Sequence, residues 1–319
     1  MDKQEIYVQH SVFTDPGDLS DVFSGLPTDV ASLCEIVRNV AVHRDETFRR
    51  FGFELPEQRY KEGETRHIQD ILKILGDLDE RSIETRFAAT CRDFSLLLCA
   101  MLRHVGVPAR LRGGYARYLE PPLEGHWPFD DHWVVEYWVD ELGWRLVDPQ
   151  VWGDTQGAYR ADFDVMDVPR DQFLVAGAAW LACRHGYCDP RMFGASGINE
   201  SGMWVIQGTV VRDLAGLNHV EAFPWENWGI MTRSFSSLTE SELALVDQVA
   251  EVGLNGGPVD QIVGLSSHPQ LRASGLDGPS NPHRPKTARH VPLSANRFVV
   301  EGWNSTTVAE QEDLQDGPF

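Results

Sequence analysis

Three side chains in the middle of the chain have the types and the order that nucleophilic catalysis at sulfur requires: Cys91, His132 and Asp148. A thiol becomes an effective nucleophile when its thiolate is stabilised, a base stands within hydrogen-bond reach, and a third group fixes that base in one orientation. Cys91 opens the stretch CRDFSLLLCAMLRHVGVPAR, in which Phe94, Leu97, Leu98, Met101, Leu102 and Val105 recur at helical spacing. Thr90 with Asp93 three residues on resembles a capping box, with Asp in place of the usual Glu, so the helix is expected to begin at residue 91. Gly106 and Pro108 end it. A helix N-terminus leaves backbone N–H groups unpaired and carries partial positive charge. A thiol there ionises more readily, Arg92 adds to the field, and the same N–H groups suit a developing oxyanion. The plain alternative is a small buried hydrophobe, which is how mid-helix Cys99 reads.

His132 begins HWVVEYWV and Asp148 ends WRLVD, two segments rich in Trp, Val and Tyr that read as strands. The connection DELG is short enough for a hairpin. Alternation puts His132, Val134 and Glu136 on one face of the first strand, and Trp144, Leu146 and Asp148 on one face of the second. With Val139 opposite Gly143, Asp148 falls opposite Val134 and diagonal to His132. That diagonal spans about 7–8 Å between backbones, within reach of a carboxylate–imidazole bond. A slip of one residue would put the two side chains on opposite faces.

The elements around these three are read from periodicity. Thr28 is placed as the cap of a helix carrying Val30, Leu33, Cys34 and Val37, and Ile68, Ile71, Leu72 and Leu75 form a second helix ending at Gly76. Residues 54–64 read as loop. Residues 109–119 read as a strand interrupted at Gly113-Gly114. Helices are expected at 172–183, 202–214 and 239–252, the last with a capping box from Thr239 to Glu242. Gly, Pro, Ser, Asn and His crowd residues 253–296, which read as loop, with a short strand at 297–300. The expected division is therefore a catalytic domain over 1–252 and a Gly/Pro/Ser-rich extension over 253–319.

Composition restricts the partners. At 319 residues and 42% hydrophobic the chain can bury a core, and its formal net charge of −20 disfavours nucleic acid and anionic membrane. No signal-peptide pattern opens the chain, and the five cysteines are odd in number and unevenly spaced, so a cytoplasmic protein with free thiols is expected. Cys183, His185 and Cys188 are three potential zinc ligands, one short of a structural site. Asp130 and Asp131, between His126 and His132, are read as bordering the cleft, where they would favour an amine, or as a solvated turn. Trp204, Trp225 and Trp228 are read as a packed lid or a groove lining. Nothing resembles a phosphate-binding loop, a dinucleotide fingerprint or a calcium loop, so no cofactor or metal is expected.

Cys91 with FSLLLCAMLRHVGVPAR, Gly114-Tyr115, then His132, Glu136 and GWRLVDP, resembles the transglutaminase-like superfamily over residues 85–150. The resemblance implies a papain-like α+β fold, with N-terminal helices packed on an antiparallel β-sheet. It implies Cys91 as nucleophile, His132 as general base and acid, and Asp148 as orienter. Two features depart from the family pattern. Trp133 follows His132 directly, and no Trp precedes Trp127, whereas the protein-crosslinking members use a Trp upstream of the Cys at the oxyanion site. Such a core takes an acyl group from a peptide, amide or thioester donor onto the cysteine. An amine acceptor makes the enzyme an acyltransferase; water makes it an amidase or peptidase; a silent cleft leaves a peptide-binding relative.

Overall fold

The computed structural model describes residues 4–119, 127–154, 159–274 and 276. Helix α1 (Val30–Val40) is capped by Asp29, whose carboxylate accepts from the Ser32 N–H, one position later than the expected Thr28 cap. Strand β1 (Ala41–His43) and the short helix α2 (Thr47–Phe51) follow. Residues 54–64 are not all loop: Glu57–Glu64 forms 3-10 turns. Helix α3 (Ile68–Leu75) buries its four expected apolar residues and stops at Gly76, whose φ of 79° suits a residue without a Cβ. Strand β2 (Phe87–Ala89) pairs in parallel with β1 and leads into α4 (Cys91–His104).

The central sheet begins with β3 (Ala109–Ala116), β4 (Phe129–Val139) and β5 (Gly143–Val147), all antiparallel neighbours. The β4–β5 register places Val139 opposite Gly143, as expected, and carries Asp148 to the level of Val134. Gly113 and Gly114 do not interrupt β3. A Cβ on Gly114 would come within 2.2 Å of the Leu174 carbonyl, so the glycine is what lets the next strand approach.

That strand is β6 (Phe173–Val175), where a helix was expected; the helix α5 (Ala176–Arg184) starts only after it. Phe173, Leu174 and Val175 form the β-favouring part of that segment, and they pair with Tyr115 and its neighbours on β3 before the Ala-rich turn takes over. Strands β7 (Phe193–Ala195) and β8 (Glu200–Ser201) complete the order β6-β3-β4-β7-β8, with β5 on β4. Helices α6 (Met203–Leu217) and α7 (Glu240–Leu254) follow, the latter with its expected Thr239–Glu242 capping box. Residues 259–266 form a further helix, α8 (Val259–Ser266), where loop was expected. Its one buried residue, Ile262, anchors it to the core, a single anchor too few to register as a periodicity. The strand expected at 297–300 lies outside the described residues.

The molecule is α+β, with helices on both faces of a mostly antiparallel sheet. One apolar cluster joins α1, α3 and α4 to Leu111, Trp133, Val135 and Val147. The other joins α5, α6 and α7 to Tyr115, Val134, Leu146 and Phe173. Consecutive β4 residues thus enter opposite clusters, as strand geometry demands. Among the described residues, no helix is long and apolar enough to cross a membrane.

Candidate active site

Helix α4 is fixed from its first residue. The Asp93 carboxylate accepts from the Thr90 backbone N–H at 2.8 Å and from its hydroxyl at 2.9 Å, which closes the capping box and makes Cys91 the first helical residue. The remainder of α4 is buried almost without interruption, so the helix cannot rotate without breaking its packing. Cys91 itself is only partly buried, at the helix mouth.

The sheet leaves an opening where that mouth arrives. On one edge of β4, β7 pairs only with Phe129 and Asp130, and β5 pairs only with residues 135–139. Residues 131–134 have no strand on that edge. Helix α4 fills the gap: the Ser95 hydroxyl donates to the Trp133 carbonyl at 2.9 Å, and the Trp133 N–H is near enough to the Cys91 sulfur to favour its thiolate. The carbonyl that would otherwise be orphaned is satisfied, and the sulfur sits beside the residue next to His132.

His132 and Asp148 are both fully buried, and His132 Nε2 lies 2.7 Å from Asp148 Oδ2. His132 and Cys91 are near enough that each acts on the other's protonation. Since Nε2 is engaged by the carboxylate, Nδ1 is the nitrogen left for sulfur. The three residues singled out by spacing are therefore brought together in one row. Asp148 is itself held on both oxygens. The backbone N–H groups of Gln150 and Val151 donate to Oδ1 at 2.9 and 3.4 Å, and the Tyr118 hydroxyl donates to Oδ2 at 2.8 Å. Ser95, Tyr118 and the Trp133 N–H were not found by sequence reasoning. Tyr118 lies two residues beyond the end of β3, where alternation no longer tells which way a side chain points.

The electrostatics follow from this packing. Burial pushes the Cys91 thiol up, while the His132 hydrogen bond and charge and the Trp133 N–H pull it back. Burial opposes a charge on His132, but the Asp148 carboxylate and its hydrogen bond, with the Cys91 sulfur, outweigh it and raise the imidazole to about 10. The net effect leaves the Cys91 thiol above its ordinary range, while Asp148, the Trp133 N–H and the helix N-terminus each lower the cost of forming a thiolate beside an imidazolium.

Other expected contributors go elsewhere. Arg92 does not face the thiol: its guanidinium is buried against Asp93, the Arg66 and Glu221 carbonyls and the Phe223 ring. Glu136 is buried and paired with Arg110, Arg112 and Arg170. Asp130 and Asp131 lie on β4 rather than in a turn, and Asp130 accepts from the Ser196 N–H at 2.9 Å. Burial and the neighbouring Asp131 raise Asp130 to about 7. Cys183 and Cys188 are free thiols, and among the described residues no three His, Cys, Asp or Glu side chains gather as a metal would need. Trp228 is packed, its indole N–H donating to the Leu271 carbonyl at 2.8 Å, and Trp225 stacks on Phe223. Trp204 lines a surface depression of about 560 Å³ with Met231 and Phe235, which includes no member of the row. His126 lies outside the described residues.

Comparison with known proteins agrees with the motifs. Residues 75–149 match the family described as the transglutaminase-like superfamily, so this chain carries that superfamily's core. Among solved structures, a protein from Cytophaga hutchinsonii provisionally named a cysteine protease aligns with 50% of this chain at 18% identity and a TM-score of 0.29. The alignment spans 46% of that protein, less than half its length. No curated protein matches this chain.

Proposed function

We propose that this transglutaminase-like core is a cysteine-dependent acyltransferase, in which Cys91, His132 and Asp148 form the catalytic triad. The observation that carries the reading is the continuous row from a thiol at a helix N-terminus through a buried imidazole to a carboxylate held on both oxygens. In the proposed cycle the Cys91 thiolate attacks the acyl carbon of an amide or thioester donor. The oxyanion develops beside the first-turn N–H groups of α4. His132 gives its proton to the departing amine or thiol, leaving an acyl-Cys91 thioester. An amine acceptor then transfers a proton to His132 as it attacks, and collapse of the second intermediate expels the Cys91 thiolate beside a protonated His132. Asp148 stabilises the imidazolium at each stage where His132 is protonated and keeps the ring aligned throughout.

Support for an amine as acceptor comes from the acidic pair Asp130–Asp131, immediately before His132 on β4, with Asp131 close enough to act on the Cys91 thiol. Asp131 supplies negative charge there, which draws in a protonated amine that sheds one proton to solvent before it attacks, and leaves a neutral hydrolytic water indifferent. The reading is tested by incubating the protein with glutamine-peptide and thioester donors and an amine library, with products followed by mass spectrometry. Amide product, slow release of free acid, and loss of both with Cys91→Ala are expected. Free acid as the dominant product would make the enzyme an amidase, and turnover that survives Cys91→Ala would remove the triad altogether.

A further inference from the structure

Asp148 Oδ2 is shared. It receives His132 Nε2 at 2.7 Å and the Tyr118 hydroxyl at 2.8 Å, both buried, while Oδ1 is fully used by the Gln150 and Val151 N–H groups. The Tyr118 ring also stands edge-on to the imidazole, with centroids 6.2 Å apart and planes at 89°, and it is braced on its far side by Phe163 at 5.1 Å. The tyrosine therefore touches both partners of the His–Asp pair, and it touches neither as mere filler.

We propose that Tyr118 is a positioning residue of the triad: its hydroxyl takes part of the negative charge of Asp148 Oδ2, limits the pull of that carboxylate on the His132 proton, and walls the imidazole into the orientation that faces Cys91. The inference rests on the triad reading above and adds to it a fourth group that acts through Asp148 and His132. The chemical sense is direct. A base that holds its proton too tightly is a poor acid towards the leaving group, and each donor on the carboxylate weakens that hold. Burial and the Asp148 charge push the Tyr118 phenol well up, so it stays a donor across the working range. The other titratable groups facing this cluster are Cys91 at the start of α4, Cys34 on α1, Tyr159, and Asp131 on β4. Cys34 and Tyr159 are also pushed up and stay neutral at pH 7. Tyr118 is the side-chain donor on the same oxygen that His132 meets, so removing its hydroxyl leaves more of the Asp148 charge to the imidazole.

The test is Tyr118→Phe in the full chain, which keeps the ring against His132 and Phe163 and deletes only the donor. Two readouts are used that need no substrate: the titration of His132 by nitrogen-15 NMR, and the pH dependence of Cys91 alkylation by iodoacetamide, read by peptide mapping. The expected result is a His132 pKa raised by about half a unit or more, with the alkylation profile moving with it and the fold intact by circular dichroism. A His132 pKa unchanged or lowered in a folded variant overturns the proposal. Failure of the triad reading is seen separately. If His132→Ala leaves the rate of Cys91 alkylation unchanged, His132 does not govern the thiol and both readings fall. If His132→Ala changes that rate and Tyr118→Phe leaves the His132 titration unmoved, the tyrosine proposal alone falls.

Discussion

At the scale of residues, the site is an argument about one proton. Burial alone would leave Cys91 a neutral thiol and His132 a neutral imidazole. Asp148 reverses the second tendency; His132 opposes the first, and the thiol still stays above its ordinary range. Because the folded His132 is raised above its ordinary 6.5, pairing with Asp148 contributes stability that is fully present below about pH 6.5 and is lost as pH rises through about 10. Asp148→Asn removes the charge and keeps the shape. The expected outcome is a fall in turnover of roughly 10²-fold or more, with the alkaline limb of the pH–rate profile moving to lower pH. An alkaline limb that stays in place would show that Asp148 does not set the His132 proton. The amide can still accept the Tyr118 hydroxyl, so the comparison separates the loss of charge from the loss of a partner.

At the scale of elements, the site is a meeting of one helix end with one gap in a sheet edge. Most of that meeting was legible in the sequence. The apolar spacing from Phe94 and the Thr90–Asp93 pair fixed where α4 starts, and the β4–β5 register followed from a short hairpin and strand alternation. The gap was not legible, because it depends on where β5 and β7 stop along β4, which pattern alone does not encode. For the same reason Ser95 reads as an indifferent helical residue, although its hydroxyl is what ties α4 to the Trp133 carbonyl. Residues 173–175 were misread as helix because a three-residue strand is shorter than any period can resolve. Ser95→Ala deletes the tie and leaves a buried carbonyl unpaired. It should cost about 1–3 kcal/mol in denaturant unfolding. It should also slow Cys91 alkylation by several-fold, since the sulfur then loses its fixed place beside Trp133. A loss of stability with unchanged alkylation would mean that packing alone seats the helix.

At the scale of the whole molecule, the question is what keeps the sheet and its two helical layers in one arrangement around so small a site. Glu136, two residues along the same strand face from His132, is the centre of a buried network. Its Oε2 accepts from Arg110 and Arg112 at 2.8 and 2.9 Å, and its Oε1 pairs with Arg170. Arg112 continues to Asp213 on α6, with both contacts at 3.0 Å, and to the Gly253 carbonyl in α7. Arg110 reaches the Gly256 carbonyl at 3.1 Å and lies over the Trp144 ring of β5 at 3.9 Å. One carboxylate thus links β3, β4, α6 and α7, and residues 253–256 belong to this network rather than to a separate tail. Burial opposes the Glu136 charge, but Arg110, Arg112 and Arg170 hold the carboxyl well below the usual range. Its folded pKa is depressed, so its contribution is present above about pH 4.3 and is lost as pH falls towards the folded value. Glu136→Gln leaves buried Arg110 without a carboxylate partner, while Arg112 keeps Asp213, and should cost about 3–5 kcal/mol at pH 7. In thermal unfolding from pH 7 to pH 3 the variant should lie well below the parent at neutral pH, and the difference should shrink below about pH 4.3 as acid protonates Glu136 in the unfolded parent. A difference that stays constant down to pH 3 would mean that shape, and not charge, is what Glu136 supplies. A protein that tolerated the change at every pH would have its layers held by the apolar clusters alone.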